Sequence, residues 1–396
     1  DVIRARTLLE HGLRIVPQER PKLFACLAAQ LMDAYQHEGR YEKAEEALEK
    51  AKAYLGTTAK GNIWPAILDA KMLGLCLQKK NFEEARKILD RGIAACSRIL
   101  HLTWKNYEAR YYYESGLLHQ AKKLFEENKK AERNLHTDLR GRIKNNSLGM
   151  VLVALGDYKA AVKELGEKLG NYKREGNFFG ILSTLINLAD SYRMLKNFVT
   201  AEIHATQAVA LAKKTTQGKW LVPAHHALAN VYHDSDQFEK TLLEDDRCLA
   251  SSSVLTDQKE HFQNCLNIWI QKGHCYKELK QFEKAVVHFQ TALEAKPDTA
   301  LLMSVEEGIG ESYLLKGEEN KGCEHLMKSW HLSQKIPSGF ADPFRFTIGR
   351  LLVPVLLKRG QKMEADVFLQ NLEILSQKNS EWEVQYNQLK NQLSAS

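Results

Sequence analysis

The feature that most restricts this chain is a short pattern that returns about every 40 residues. Its clearest copy is Trp269, Gly273, Tyr276, Phe282, Ala285, Phe289, Ala292 and Pro297. At these spacings a helix of about fourteen residues turns back on a second one through a short polar loop. The large residues lie between the two helices, and the small ones let their axes approach closely. One such pair cannot cover its own apolar face and must stack on a neighbour at each side. The pattern therefore predicts an all-α solenoid of about nine antiparallel helix pairs. Such arrays present surfaces to partners more often than they carry out chemistry.

The clearest copy resembles the tetratricopeptide repeat, in which Trp-x2-Leu-Gly-x2-Tyr is followed by Ala-x3-Phe and then Pro. Lys272 stands where Leu is usual. Weaker copies run through Gly149, Leu152, Gly156, Tyr158, Ala161 and Leu165, and through Leu188, Ala189, Tyr192, Phe198, Ala201 and Ala208. A further copy begins at Leu228, Ala229, Tyr232 and Phe238 but carries Thr241 and Asp245 where Ala and Phe are expected. Earlier copies centre on Tyr35, Tyr41 and Ala44, on Phe82, Ala85 and Leu89, and on Tyr112, Gly116, Ala121 and Phe125. Later ones centre on Gly310, Tyr313 and Gly317, and on Gly360, Ala365 and Leu369. The resemblance implies a right-handed superhelix. The long period resembles the repeats of kinesin light chains, spindle-orientation adaptors and the sensor regions of signalling ATPases. It implies a protein- or peptide-binding module, used as an adaptor or scaffold.

Residues 1–17 match the second helix of a truncated repeat, through Ala5, Leu9, Gly12 and Pro17. Residues 18–380 form the array, and the polar segment 381–396 fits a capping helix. The half-repeat at the start suggests the alternative reading: the sensing region of a larger signalling protein whose ATPase, kinase or cyclase output lies upstream.

The 7 cysteines follow no paired spacing, which fits reduced thiols in a helical core and a cytoplasmic setting. A net charge of +7 over 396 residues calls for neither nucleic acid nor a membrane. The basic stretch Lys122 to Lys144 is interleaved with Glu126, Glu127, Glu132 and Asp138, as on a solvated helix face. His225, His226, His233, His261 and His274, with Cys265 and Cys275, lack metal-ligand spacing. No phosphate loop, zinc-protease motif or nucleophile elbow is present. The reading is of a chain that is not an enzyme and needs no cofactor or metal.

In the resembling fold the first helix of each pair lines a concave groove. Its groove positions correspond to Asn106, Arg110 and Tyr113; Asn146 and Met150; Asn187, Asp190 and Arg193; His226, Asn230 and His233; Gln271, His274 and Lys277; then Glu307 and Glu311. Asn carries both a donor and an acceptor, so successive Asn residues can pair with the backbone of an extended peptide. Asn187 is the best match to the peptide-holding Asn of the long-repeat relatives. Arg110, Arg193 and Lys277 suggest a partner with acidic residues opposite the middle repeats, and His233 and His274 would sharpen that preference in acid. The two-carboxylate clamp that holds chaperone tails is not matched, because Met150 stands where its Asn is needed.

Overall fold

A computed structural model describes residues 2–16, 20–37, 40–55, 64–95, 101–133, 147–214, 218–252 and 258–395. Among these residues the chain is helical without a strand. It runs α1 (Val2–Ile15), α2 (Pro21–His37), α3 (Tyr41–Leu55), α4 (Trp64–Gln78) and α5 (Phe82–Ala95). Next come α6 (His101–Glu114), α7 (Leu118–Arg133), α8 (Leu148–Ala154), α9 (Tyr158–Glu175) and α10 (Phe178–Met194). Then follow α11 (Phe198–Lys214), α12 (Gly218–Asp234), α13 (Phe238–Ser252), α14 (Gln258–Glu278) and α15 (Phe282–Glu294). The last are α16 (Thr299–Lys316), α17 (Glu319–Ser333), α18 (Ser338–Lys358), α19 (Lys362–Ser376) and α20 (Ser380–Ala395).

The turns inside the pairs share one device. Lys80, Gly116, Gly156, Lys196, Asp236, Lys280, Gly317 and Gly360 all take left-handed backbone, and they recur at the repeat period. At the turn after α10, Lys196 N–H donates to Arg193 O at 2.8 Å and Asn197 N–H to Tyr192 O at 2.9 Å. These bonds satisfy carbonyls that the helix end leaves open. Asn197 then caps α11, its side chain accepting from Thr200 N–H at 3.2 Å, and Asp157 caps α9 in the same way. A Lys in the left-handed region costs about 1 kcal/mol, which the paired carbonyls and the packed hairpin offset.

The chain divides into two compact units: residues 1–235 with 250–258, and residues 236–249 with 259–396. The repeat spacing does not announce this division. In the first unit each helix packs on the next, and alternate contacts run between α2 and α4, α4 and α6, α8 and α10, and α10 and α12. These even-numbered helices are the first members of their pairs, so they form the tighter, inner layer of that unit. In the second unit the same holds for α16, α18 and α20.

The core follows the motif. In α11, Ala201, Ala205, Ala208 and Ala212 are fully buried, on one face at helical spacing. In the second unit Phe289 fills the space that Gly273 and Gly308 leave open; a Cβ on either glycine would stand within 2.8 Å of its ring. Asp245 breaks the pattern. It has no exposed surface, and neither carboxylate oxygen makes a hydrogen bond. Lys272, itself buried, pairs with the neighbouring Asp246 at 2.6 Å instead. Burial pushes the Asp245 carboxyl up to about 8, against the pull of Lys272 and with Asp246 and Glu244 adding to the rise. The adjacent thiols of Cys248 and Cys275 are pushed up to about 12, chiefly by burial and secondly by Asp245. Among the described residues no group of three or more His, Cys, Asp or Glu gathers as a metal site, and no helix is long and apolar enough to cross a membrane.

Candidate peptide-binding face

The inner layer of the first unit brings several of the expected residues together. Asn187, Asp190 and Arg193 lie on α10, and His226, Asn230 and His233 on α12, the helix in direct contact with it. Asn187 donates its amide N–H to Ser183 O of its own helix at 2.9 Å. Arg193 reaches across to Asp234 on α12, and its Nε lies 3.5 Å from Asp190 Oδ1. That separation is too long for a good hydrogen bond, and both atoms are buried without one. Burial raises the Asp190 carboxyl, with Arg193 and His226 opposing. Burial lowers the His226 imidazole, with Asp190 opposing. This face is polar and partly desolvated.

The other expected residues fall in different settings. Asn106 is buried rather than displayed: its oxygen accepts from Asn128 at 2.9 Å and its amide donates to Glu132 at 3.4 Å. The polar Asn128 on α7 draws it inward. Tyr113 is half-buried and packs on the first unit's core, which raises its hydroxyl. Asn146 lies outside the described residues. The basic middle is compensated, because each cation invoked for it faces a carboxylate. Arg110 lies 3.7 Å from Glu114, Arg193 pairs with Asp234, and Lys277 pairs with Glu311 at 2.5 Å. His233 sits 3.2 Å from Asp234.

In the second unit, Gln271, His274 and Lys277 lie on α14, with Glu307 and Glu311 on α16. His274 is set edge-on against Phe289 at 5.0 Å, so it serves the core as well as the surface. Burial, and then Glu311, raise the Glu307 carboxyl to about 7, with Lys277 and Arg350 opposing.

Sequence reading missed a cleft between α8, α9 and α10, of about 60 Å³. Met150 and Asn187, both expected groove residues, line it, together with Ser183, Glu164, Lys168 and Tyr172. A Cβ on Gly180 would stand 2.6 Å from the Tyr172 ring, and one on Gly149 2.6 Å from Leu165. These glycines let α8 and α10 close on α9.

Comparison with known proteins agrees with this geometry. Residues 266–299 match the tetratricopeptide repeat. The fold is a tetratricopeptide-repeat solenoid. The solenoid is similar to the crystal structure of Rap protein complexed with competence and sporulation factor, at TM-score 0.59 and 12% identity, over 92% of this chain and 100% of that one. It is also similar to NprR in complex with its cognate peptide NprX, at TM-score 0.53 and 12% identity, over 85% and 99%. A third similar structure is the signal transduction ATPase with numerous domains from Pyrococcus horikoshii, which has a tetratricopeptide repeat sensor. There the TM-score is 0.57 and the identity 14%, and the solenoid matches 93% of its own length and 54% of that chain. No curated protein matches the solenoid in sequence.

Proposed function

We propose that the chain is a non-enzymatic peptide- or protein-binding module that holds an extended segment along the inner face of α8, α10 and α12. One observation carries the reading: Asn187, Asp190 and Arg193 on α10 and His226, Asn230 and His233 on the contacting α12 form a partly exposed polar row on that face. A peptide backbone supplies both donors and acceptors to such a row. The competence and sporulation factor in the Rap structure and the cognate peptide NprX in the NprR structure support the same use of a similar fold. The likeness to the Pyrococcus ATPase, a protein with a tetratricopeptide repeat sensor, favours a second reading, in which the same face senses a ligand for a larger signalling protein. Both readings share the site and differ in what its occupancy controls.

The test is selection from a random heptapeptide pool on the immobilised chain and on an Asn187→Ala/Asn230→Ala variant. Both residues are partly exposed, and the variant is first checked for a melting temperature within a few degrees of the parent's. The proposal expects peptides retained by the parent chain and lost from the variant. Equal retention would move binding to another surface. Arg193→Glu is the wrong probe, since it would set three carboxylates together with Asp190 and Asp234 and lower stability by itself.

A further inference from the structure

The last small residue of the motif, Ala292 in the clearest copy, is buried between the paired helices. The corresponding residues elsewhere include Ala51 and Ala208, both without exposed surface, and Gly92, where a Cβ would run into the Trp104 ring. In α9 the position is Lys168, seven residues after Ala161 just as Ala292 follows Ala285. A long cation has replaced a small core residue, and it lines the cleft between α8 and α10.

Lys168 is half-buried, with its ammonium 5.7 Å from the centre of the Tyr172 ring. Among the described residues it makes no ion pair. The neighbouring carboxylates are engaged elsewhere: Glu164 with Lys129, and Glu132 with Asn106. Burial lowers the Lys168 ammonium, while Glu132, Glu164 and Glu175 hold it up from beyond pairing distance. Arg110, Arg193 and Lys277 each have a carboxylate at hand, whereas Lys168 has a cavity in front of it. Ser183 and Asn187 stand at the same opening. About 60 Å³ accommodates the tip of one side chain or the end of a chain.

We propose that this cleft is a carboxylate subsite, in which the Lys168 ammonium receives an acidic group of the bound peptide while Ser183 and Asn187 bind the adjoining chain. The proposal rests on the peptide-binding reading above and names the chemistry that one part of that face selects. A carboxylate supplies the ion pair that the desolvated ammonium lacks, a charge-assisted contact stronger than a neutral one. An acidic side chain and a free C-terminus carry the same group.

The experiment selects from two random heptapeptide pools, one with free C-termini and one amidated. The baits are the parent chain, Lys168→Met and Lys168→Arg, each first checked for an unchanged circular-dichroism melt. The expected result is enrichment for carboxylates, with retained peptides binding about tenfold more weakly to Lys168→Met and nearly unchanged to Lys168→Arg. Enrichment of Asp and Glu in the amidated pool assigns a side chain; enrichment confined to the free pool assigns the C-terminus. If Lys168→Met retains the same peptides with the same affinity, the subsite is wrong while the peptide-binding face stands. If no bait retains a peptide, both fall.

Discussion

Helices α11 and α13 fill the same register positions with opposite chemistry. Ala201, Ala205 and Ala208 in the first become Thr241, Asp245 and Cys248 in the second, and all six are fully buried. In α11 the small apolar residues let the neighbouring helix approach and leave no polar atom to satisfy. In α13 a carboxyl group occupies the core without a hydrogen bond and stays protonated through neutral pH. The fold therefore tolerates a polar intruder at this position, provided it is neutral. Lys168 is a second intruder, at the motif's last small position rather than its Phe position, and it opens onto a cleft rather than into a sealed core. A sealed polar group costs stability, whereas one that meets a cleft can bind.

The largest effect should come from copying the α13 solution into α11. Ala205→Asp would place a carboxyl at a position without exposed surface, and should destabilise the first unit by roughly 3–5 kcal/mol. A calorimetric scan should show one transition shifted down strongly; an unchanged scan would mean the α11 core is not sealed as described.

The converse change should stabilise. Asp245→Leu removes an unsatisfied buried carboxyl and should add roughly 1–3 kcal/mol to the second unit. The pH dependence has a definite sign. The folded pKa of Asp245, about 8, lies above the unfolded value of about 3.9, so folding retains a proton that the unfolded chain would release. This contribution is fully present below about pH 4, declines as pH rises, and is lost above about 8. Acidifying the parent chain from pH 8 to 5 should therefore raise the second unit's midpoint, and Asp245→Leu should flatten that rise. A slope equal in the two proteins would show that the carboxyl is ionised or solvated in the fold.

Much of the fold was legible because hydrophobic spacing and turn position repeat with the helix geometry. The oddity of Asp245 was visible as a break in the motif, although its unpaired burial required packed neighbours. The binding face was harder to read. Arg110 with Glu114, and Asp190 with Arg193, pair at helical spacing within one helix. Arg193 with Asp234 and Lys277 with Glu311 pair across repeats. A count of cations along one helix therefore overstated the positive charge. Asn106 was misplaced because its orientation depends on Asn128, on the next helix. Lys168 escaped notice because the weaker copy was followed only as far as Leu165. Extending the register three residues would have found a lysine where four other repeats carry Ala51, Gly92, Ala208 and Ala292.

The central claim is that the inner face of the first unit holds the peptide. It is tested most directly by site-specific photo-crosslinking to a biotinylated random heptapeptide pool. A benzophenone side chain would replace either Met150, at the α8–α10 cleft, or Val199, which is 73% exposed on α11. The account predicts biotin captured from the Met150 position and little from Val199. Capture from Val199 alone, or equal capture at both, would contradict it.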